Sequence, residues 1–580
     1  MNMSNKYTAD FETTTSSDDC RVWAYALMEI GNTSNFIYGN SIEDFIKWCS
    51  NPKENYTLYF HNLKFDGEFI FNYLLKNGFT CIKDKKDRTD KSFTCLISDT
   101  GQFYTIEIYF KIYKHKVNKV SIYDSLKILN MSVERIAKGF NLPIQKLELD
   151  YNKYREVGHI LTDEEIKYIK NDVGIMAMAL DIMFKEGLTK MTIGSNALSY
   201  YKDLNKRFDV LFPIQPYEID ADIRKSYKGG FTYLNPIYKE KDVYNGIVLD
   251  VNSLYPSVMM YEILPFGNPI FFNGKYKKDI LHPLYIQTIS CIFEIKNGFI
   301  PTIQIKNSLS FLPNEYLESS NGDIVTLTLT NVDLELFLKH YNVHDLTFHS
   351  GWKFRGMKGL FKDYIEYWSN RKIESKKDGN SAIYQICKLM LNSLYGKFGL
   401  NPNVRGKYPI LEDDVIKYKM YDKDIRDSIY LPVATFITSY ARRKTITTSQ
   451  KIREYTLEKY KKDYYIYSDT DSIHMLKLSS EELSSFIEVD DYKLGAWKLE
   501  SDFIKARFIR QKCYIEQSED GSINTTIAGL PKRMSKLINF DNFKIGFTTE
   551  NLNCDDTGKK LTYKHVKGGV ILADTDFTIK

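Results

Sequence analysis

Two acidic residues in one short polar turn are the first candidates for chemistry in this 580-residue chain. Asp469 and Asp471 lie in the sequence YSDTDS, and the stretches on either side, 464–466 and 473–476, have the composition of strands. The pattern predicts a β-hairpin with both carboxylates at its tip. Like charges this close raise each other's pKa unless a cation neutralises them, and Mg²⁺ binds a few carboxylates together with substrate phosphates. The alternative is an ordinary polar turn, because Asp, Ser and Thr are common turn residues.

A third acid far upstream favours the metal site. Asp250 ends the apolar stretch GIVLDV, 246–251, which is typical of a strand and is followed by a turn. An acid at the end of one strand can point to the same place as the tip of a neighbouring hairpin. Three carboxylates arranged in this way suit a two-metal site for phosphoryl transfer. One ion would activate the attacking hydroxyl, and the other would stabilise the charge that develops on the leaving phosphate.

A helical segment, KLMLNSLYGK at 388–397, supplies groups suited to a nucleotide. Lys388, Asn392 and Tyr395 lie at positions i, i+4 and i+7, which is one face of a helix. A lysine there can bind a phosphate as a point charge, and the tyrosine ring can lie against a base or a sugar. Gly396 would let a base pair approach the backbone closely. For any one of these residues, an amphipathic helix with a solvated polar face remains the alternative.

In these three segments the chain resembles the family B DNA polymerases. DVNSLYPS, KLMLNSLYGK and YSDTDS are similar to motifs A, B and C of that family and occur in the same order. The resemblance implies catalysis by Asp250, Asp469 and Asp471, which with Val251 would bind two Mg²⁺ or Mn²⁺ ions. It implies that Tyr255 packs against the sugar of the incoming dNTP and excludes a 2′-hydroxyl. The other nucleotide ligands that it implies are Lys372, Lys388 and Tyr395.

Contacts to primer–template DNA are also implied by the resemblance. They come from motif B and from three further segments that are similar to family motifs, YKGG, TSYAR and KCY. The implied DNA-binding residues are Tyr227, Gly229, Gly230, Asn392, Gly396, Thr438, Arg442, Lys512 and Tyr514.

The first third of the chain carries a second set of acids. Asp10 and Glu12 are two residues apart on a predicted strand and therefore face the same side. Asp66 follows another strand-like stretch. Tyr168 and Asp172 share one face of a helix whose start is indicated by a capping box. Four carboxylates and a phenol suit two metal ions that activate a water for phosphodiester hydrolysis.

These clusters resemble the DxE, NxxxD and YxxxD motifs of the 3′–5′ exonucleases attached to such polymerases. The resemblance implies that Asp10, Glu12, Asp66 and Asp172 bind two further ions. It implies that Tyr168 orients the water and that Lys146 contacts the scissile phosphate. The frayed single strand would be held by Thr13, Asn62, Phe65, Phe69, Ser125 and Leu126.

Two segments between the motifs, a long one at 262–359 and a shorter one at 401–431, indicate a branch of the family. Segments at these positions resemble the insertions of the protein-primed bacteriophage polymerases, the group of Bacillus phage phi-twenty-nine. The implied fold is multidomain α/β and α+β, with a ribonuclease H-like exonuclease domain before a right-hand polymerase. The predicted parts are the exonuclease domain (1–192), the palm in two parts (193–261 and 433–527), insertion 1 (262–359), the fingers (360–399), insertion 2 (400–432) and the thumb (528–580).

In that branch the first insertion contacts a terminal protein that carries the priming hydroxyl. The second gives processivity and strand displacement. Two alternatives stay open. One is a family B polymerase that extends ordinary nucleic-acid primers. The other is a structural DNA-binding protein with vestigial sites, which the completeness of both carboxylate sets disfavours.

The amino-acid composition excludes several other classes of protein but gives only weak support for a DNA polymerase. A hydrophobic fraction of 43% excludes a largely disordered chain, and a net charge of +5 is small for a nucleic-acid-binding protein. Eight cysteines without a CxxC pair indicate no zinc or disulfide framework, and His340 and His344 are predicted to be surface residues. Neither a signal peptide nor a membrane-spanning segment is predicted. We expect a monomer, or a heterodimer with the terminal protein, in the host cytoplasm.

Overall fold

The computed structural model describes residues 5–151, 153–304, 316–551 and 560–580. Parts of the predicted insertion 1 and thumb, 305–315 and 552–559, lie outside the described residues. The first third of the chain forms eight strands and four helices. The strands are β1 (Asn5–Thr13), β2 (Val22–Glu29), β3 (Asn32–Gly39), β4 (Tyr56–Phe60), β5 (Thr80–Cys81), β6 (Ser92–Ser98), β7 (Phe103–Ile112) and β8 (Val117–Asp124), and the helices are α1 (Ile42–Cys49), α2 (Leu63–Lys76), α3 (Val133–Gly139) and α4 (Asp163–Lys185).

These strands belong to one mixed sheet in the order β6-β7-β8-β4-β1-β2-β3, with β5 beside β6. Strand β4 runs parallel to both β1 and β8, so the carboxyl ends of these three strands open at the same edge. Helix α4 lies against this sheet, where the Thr8 hydroxyl donates to the Val173 carbonyl at 2.8 Å. The predicted capping box at the start of α4 is confirmed between Thr162 and Glu165.

The middle of the chain contains the central strand of a second sheet and a separate four-stranded sheet. Its elements are α5 (Ile193–Leu204), α6 (Phe208–Leu211), α7 (Tyr217–Arg224), β9 (Thr232–Leu234), β10 (Asp242–Val251), α8 (Leu254–Tyr261), β11 (Leu264–Asn273), β12 (Leu284–Ile295), β13 (Ile303–Gln304), β14 (Tyr316–Leu317), β15 (Val325–Thr330), α9 (Asn331–His340) and β16 (Tyr341–Met357). The separate sheet has the order β11-β16-β12-β15 and lies within the predicted insertion 1.

The remaining elements complete the second sheet and add two hairpins. They are α10 (Lys362–Lys377), α11 (Ser381–Ser393), α12 (Tyr395–Phe398), β17 (Asn403–Val404), β18 (Gly406–Glu412), β19 (Val415–Met420), β20 (Asp424–Ile425), α13 (Leu431–Tyr460), β21 (Tyr465–Asp469), β22 (Ser472–Leu476), α14 (Ser480–Ser484), β23 (Trp497–Arg510), β24 (Cys513–Gln517), β25 (Ile523–Ile527), β26 (Lys560–Val566) and β27 (Gly569–Thr575). None of the helices in the described ranges is long and apolar enough to cross a membrane.

The second sheet is antiparallel, with seven strands in the order β25-β24-β23-β10-β22-β21-β9. The predicted strand at 246–251 is the end of β10, and the predicted hairpin is β21–β22. Apolar residues of β10 such as Leu249 are buried in the same core as Val258 of α8 and Ile437 of α13. Burial of this apolar face fixes the register of β10, so that Asp250 lies near the carboxyl end of this central strand.

Two predictions about local structure are wrong. The segment KLMLNSLYGK is not one helix, because α11 ends at Ser393 and the short α12 begins at Tyr395. The Ser393 hydroxyl donates back to the Leu389 carbonyl at 2.6 Å, a bond that competes with the helical pattern. His340 is not a surface residue. It is buried, and its Nδ1 lies 2.7 Å from the carbonyl oxygen of Ile300.

Residues distant in sequence join the first sheet to the end of the chain. Strand β18 pairs with β6 and extends the first sheet, with Gly406 opposite Ser98. The Tyr418 ring on β19 lies 6.0 Å from the His565 ring on β26. A Cβ added to Gly569 would lie 2.5 Å from the Phe69 ring on α2, so β27 packs closely there. The predicted insertion 2, exonuclease domain and thumb therefore contact one another.

Two candidate active sites

The three predicted polymerase acids lie at adjacent strand ends of the second sheet. Asp250 is opposite Ser472 at the end of β10, and Asp469 ends β21. Thr470 has φ of 60°, and this tight turn places Asp471 beside the end of β10, where the Val251 N–H donates to the Asp471 carbonyl at 2.8 Å. Because a valine side chain has no ligand atom, Val251 could contribute only its carbonyl oxygen to a metal.

Lysines pair with the two outer acids of this set. The Lys498 ammonium lies 3.3 Å from Asp250 Oδ1, and Lys512 lies 2.8 Å from both oxygens of Asp469. Burial, and then the charges of Asp471 and Glu500, raise the pKa of Asp250 to about 6. Burial and the neighbouring acids thus both disfavour the charged carboxylate, and a bound divalent cation would stabilise it.

Glu500 and Lys498 are site residues that sequence reasoning missed. Both come from β23, which pairs with β10 so that Lys498 is directly opposite Asp250. The charge of Glu500 contributes to the raised pKa of both Asp250 and Asp471. The only signal in the sequence is a pair of charged residues at alternate positions, which is common on any exposed strand.

Aromatic rings and lysines line the side of the site where a nucleotide would bind. The rings of Tyr255 and Tyr395 stack with centroids 4.1 Å apart and planes at 26°. Burial, with smaller contributions from the charges of Lys388 and Lys498, lowers the pKa of Lys372. Within the described part of the chain, neither Lys372 nor Lys388 has a carboxylate within ion-pair distance. An anionic ligand would therefore stabilise this group of cations.

We expect Tyr255→Val to admit ribonucleotides. The Tyr255 ring is held in place by its stack with Tyr395, so it can exclude a 2′-hydroxyl only while it is present and rigid. Valine would open this space, and discrimination against rNTPs should fall by roughly tenfold or more, since one steric contact is worth about 1–3 kcal/mol. Single-nucleotide incorporation from dNTP and rNTP measures the ratio. Unaltered discrimination would remove the sugar-gate role from Tyr255, and Tyr261→Val on the same helix is the control.

The predicted DNA contacts divide into exposed and internal residues. Asn392 and Gly396 are exposed, and nothing lies within 4 Å of a Cβ added to Gly396. Thr438 and Arg442, in contrast, are buried. The Arg442 guanidinium donates to the carbonyls of Lys228 and Gly229 at 2.9 and 2.7 Å and forms an ion pair with Asp333.

In this structure the side chains of Thr438 and Arg442 bond to groups inside the protein and are not exposed to a DNA strand. The Thr438 hydroxyl donates to backbone carbonyls of its own helix. Arg442 instead fixes the YKGG loop, whose Gly230 lies against the catalytic turn, since a Cβ on Gly230 would meet Thr470 Oγ1 at 2.7 Å. Two other predicted contacts also have internal partners. Tyr227 lies against Gly399, and Tyr514 stacks on Phe508 at 5.3 Å.

The exonuclease acids are more tightly grouped than the polymerase acids. Ligand atoms of Asp10, Glu12 and Asp172 all lie within 4.8 Å of one another, and among the described residues this is the one group of acids packed so closely. Asp66 comes from the first turn of α2, and its charge contributes to the raised pKa of Glu12. Burial and then Asp172 raise the pKa of Asp10 to about 7.

Unpaired oxygen atoms in this group fit a bound cation. The side-chain atoms Asp66 Oδ1 and Asp172 Oδ1 are buried without a hydrogen-bond partner. Buried polar atoms are almost always paired, so two carboxylate oxygens left without a partner beside two further acids are what a metal site requires. Oxygen ligands of this type suit Mg²⁺ or Mn²⁺.

The predicted water-orienting and phosphate-binding groups lie beside these acids. Lys146 Nζ is 2.5 Å from Asp172 Oδ2 and 3.3 Å from the Tyr168 hydroxyl. Tyr151 was missed by sequence reasoning, and its hydroxyl lies 2.6 Å from that of Tyr168. Burial and the charges of Glu12 and Asp172 raise the pKa of Tyr168, so it remains a neutral phenol that can donate a hydrogen bond.

The predicted single-strand contacts also divide into two groups. Thr13, Asn62, Phe65 and Leu126 are partly exposed. Ser125 is buried and donates to the Phe60 carbonyl at 2.9 Å, and Phe69 is buried under the hairpin β26–β27. Neither of these two side chains is free to touch a strand, so their direct contact is not supported by the structure.

A tyrosine from the end of the chain joins the exposed group. The Asn62 amide donates to the Tyr563 hydroxyl at 3.1 Å, and the Phe65 and Tyr563 rings lie 6.1 Å apart. Lys64 lies over the Tyr563 ring at 4.9 Å. This contact spans about five hundred residues of sequence, so no local pattern could predict it.

Comparison with known proteins agrees with this arrangement. A family model described as DNA polymerase type B, organellar and viral, matches residues 49–488. The DNA polymerase of Bacillus phage Nf is 46% identical over the full length of both chains, and that of Bacillus phage phi29 is 44% identical over 99% of each. The DNA polymerase of Streptococcus phage Cp-1 is 32% identical over 99% of this chain and 98% of its own.

Solved structures give the same result for the fold. Phi29 DNA polymerase complexed with primer–template DNA and incoming nucleotide has a TM-score of 0.91, at 42% identity over all of both chains. Its complex with single-stranded DNA has a TM-score of 0.90. The chain therefore belongs to the type B DNA polymerases, organellar and viral. It is a DNA-directed DNA polymerase whose fold joins an exonuclease domain to palm, fingers and thumb, so the predicted family and fold class are confirmed.

Proposed function

We propose that this chain copies a phage genome by metal-dependent nucleotidyl transfer at Asp250, Asp469 and Asp471. The observation that carries this proposal is that these three acids lie at the adjacent ends of β10 and of the β21–β22 hairpin. Lys498, which pairs with Asp250, is also close enough for its charge to act on Lys372. A relative that matches over its full length and was solved with primer–template DNA and incoming nucleotide supports the same proposal. Substrates would be dNTPs and primer–template DNA.

The protein's own residues position each reacting group. Tyr255, stacked on Tyr395, would set the sugar of the dNTP, and Lys372 and Lys388 would bind its triphosphate. The acids would hold Mg²⁺ or Mn²⁺, and the bound ions would activate the primer hydroxyl and stabilise the departing pyrophosphate. Lys512, which pairs with Asp469 at the edge of the site, would turn to the primer strand.

The first domain would hydrolyse a mismatched 3′ end. Asp10, Glu12, Asp66 and Asp172 would hold two ions, Tyr168 would orient the attacking water, and Lys146 would bind the scissile phosphate. The strand would lie along Thr13, Asn62, Phe65 and Leu126. Aromatic and polar contacts of this kind accept any base, which suits proofreading.

The two insertions would support protein priming and strand displacement. The sheet and helix of 262–359 would receive a terminal protein that carries the first hydroxyl. Strand β18 attaches 400–432 to the exonuclease sheet, and β26 reaches the same hairpin, so the three parts would surround DNA and slow its release. We place the enzyme in the cytoplasm of a bacterial host, as a monomer or a heterodimer with the terminal protein.

A single assay with two arms tests initiation and displacement. In the first arm, labelled dATP and the candidate terminal protein should give a labelled protein adduct. In the second, a primed circle without helicase should give products many circle lengths long. Asp250→Ala is the control for both arms. Absence of the adduct, with long products retained, would favour the alternative of a polymerase that uses only nucleic-acid primers. Products of one circle length would remove strand displacement.

A further inference from the structure

Lys498 is a cation at the centre of the polymerase site that lies outside motifs A, B and C. It is the cross-strand partner of Asp250 in the β10–β23 pair, and its ammonium lies 3.3 Å from Asp250 Oδ1. Side chains of directly opposed residues stand side by side on one face of a sheet. Lys498 therefore projects from the same face of the sheet as Asp250, and about a third of its side chain, 34%, is exposed.

The ion pair between Lys498 and Asp250 competes with the binding of a metal ion to Asp250. An acid that binds a divalent ion directs its oxygens to that ion, and a lysine on the same oxygen would compete with it. Binding of cations to Asp250 therefore weakens this ion pair and leaves the Lys498 ammonium available to another partner. Its stem is flexible, with four methylene groups, so a change of partner requires no backbone movement.

A suitable partner for Lys498 would be an anionic ligand that is also bound by lysines on the other side of the site. Lys372 on α10 and Lys388 on α11 are close enough that the positive charges of Lys388 and Lys498 both lower the pKa of Lys372. The lysines on α11 and β23 therefore lie within electrostatic range of Lys372 on α10, on this side of the polymerase site. Like charges gathered in this way are unfavourable unless an anion lies between them, and the most highly charged substrate of the reaction is a triphosphate.

We propose that Lys498 is a third triphosphate ligand, which pairs with Asp250 in the ion-free site and turns to the phosphate oxygens when metal and dNTP bind. This inference rests on the proposed polymerase function and adds a residue to it. A purely structural role would leave Lys498 on Asp250 throughout the reaction. The two roles differ in what removal of the ammonium does to nucleotide affinity.

The test uses the full chain in an Asp10→Ala, Asp66→Ala background, so that DNA is not degraded. Single-turnover incorporation on a primed template gives the Kd for dNTP and the maximal rate. Lys498→Ala should weaken dNTP binding by about tenfold, the value of one charge-assisted hydrogen bond, and change the maximal rate less. Lys498→Arg should restore most of the affinity. Lys477→Ala removes a lysine whose ion pair with Asp502 lies at the far end of β22, and it should leave both constants unchanged.

A second measurement follows the ion-free pair. Mn²⁺ binding in the presence of primer–template and the absence of nucleotide, measured by electron paramagnetic resonance, should tighten in Lys498→Ala because Asp250 loses a competing cation. Unchanged dNTP affinity in Lys498→Ala, with a wild-type rate of extension, would overturn the triphosphate role. Weaker Mn²⁺ binding would overturn the pairing in the ion-free site. Failure of the unaltered chain to extend a primer would instead overturn the proposed function itself.

Discussion

Asp250→Ala is expected to reduce primer extension by a factor on the order of a thousand or more, because metal-assisted charge stabilisation is worth several kcal/mol. Asp250 is the one acid of the set that comes from β10, and its carboxylate is flanked by the charges of Asp471 and Glu500. Without it, the hairpin acids alone would have to bind the ions. Primer extension at saturating Mg²⁺ measures the loss.

Degradation of single-stranded DNA should survive the same substitution. The exonuclease acids lie on the first sheet and on α2 and α4, whereas Asp250 lies on the second sheet. Asp502→Ala is the matched control, since Asp502 is an exposed acid on β23 outside the site. Synthesis that persisted in Asp250→Ala, or hydrolysis that vanished with it, would contradict two separate centres.

The raised pKa of Asp250 adds a dependence on pH. Its folded-state value of about 6 lies above the ordinary value of 3.8, so the proton competes with the metal as pH falls through about 6. At subsaturating Mg²⁺, synthesis should therefore decline as pH is lowered toward 6, and added Mg²⁺ should restore it. Inhibition at low pH that excess Mg²⁺ does not relieve would contradict this competition.

Sequence patterns located the acids because each lies in a locally recognisable element. Asp469 and Asp471 are marked by two flanking strands, and Tyr168 and Asp172 by their spacing on a helix with a capping box. Strand alternation and helix periodicity are properties of adjacent residues, so they can be read from the chain itself. The family resemblance then supplied the order of domains.

Residues that act through distant pairing could not be found in that way. Lys498 enters the polymerase site only because β23 pairs with β10, and Tyr563 meets Asn62 only because the end of the chain folds back onto α2. Arg442 and Ser125 were predicted from family motifs to contact DNA, whereas their polar groups have partners inside the protein, so direct contact stays a prediction. A motif indicates that a residue has a role in the site. Its burial and its hydrogen-bond partners show whether the side chain is placed to touch the substrate.

Asp10→Ala combined with Asp66→Ala should abolish single-stranded DNA degradation, by a factor on the order of a thousand or more, while synthesis on a primed template is retained. The pair removes one acid from β1 and one from α2, so neither wall of the metal site can hold an ion alone. Release of nucleotides from labelled single strands measures hydrolysis. Glu43→Ala with Asp44→Ala, two exposed acids on α1 of the same domain, is the control for the change in charge.

The exonuclease should also respond to pH at a higher value than synthesis does. Burial and Asp172 raise the pKa of Asp10 to about 7, compared with about 6 for Asp250, and burial raises the pKa values of Glu12 and Asp66 well above the ordinary range. Since metal must displace these protons, lowering the pH from 8 to about 6.5 at subsaturating Mg²⁺ should inhibit hydrolysis more than synthesis. Equal inhibition of both activities would mean that protonation of the exonuclease acids does not control how well they bind metal ions. A shift of balance toward synthesis at lower pH would instead follow from the burial of these acids and from the close approach of Asp10, Glu12 and Asp172.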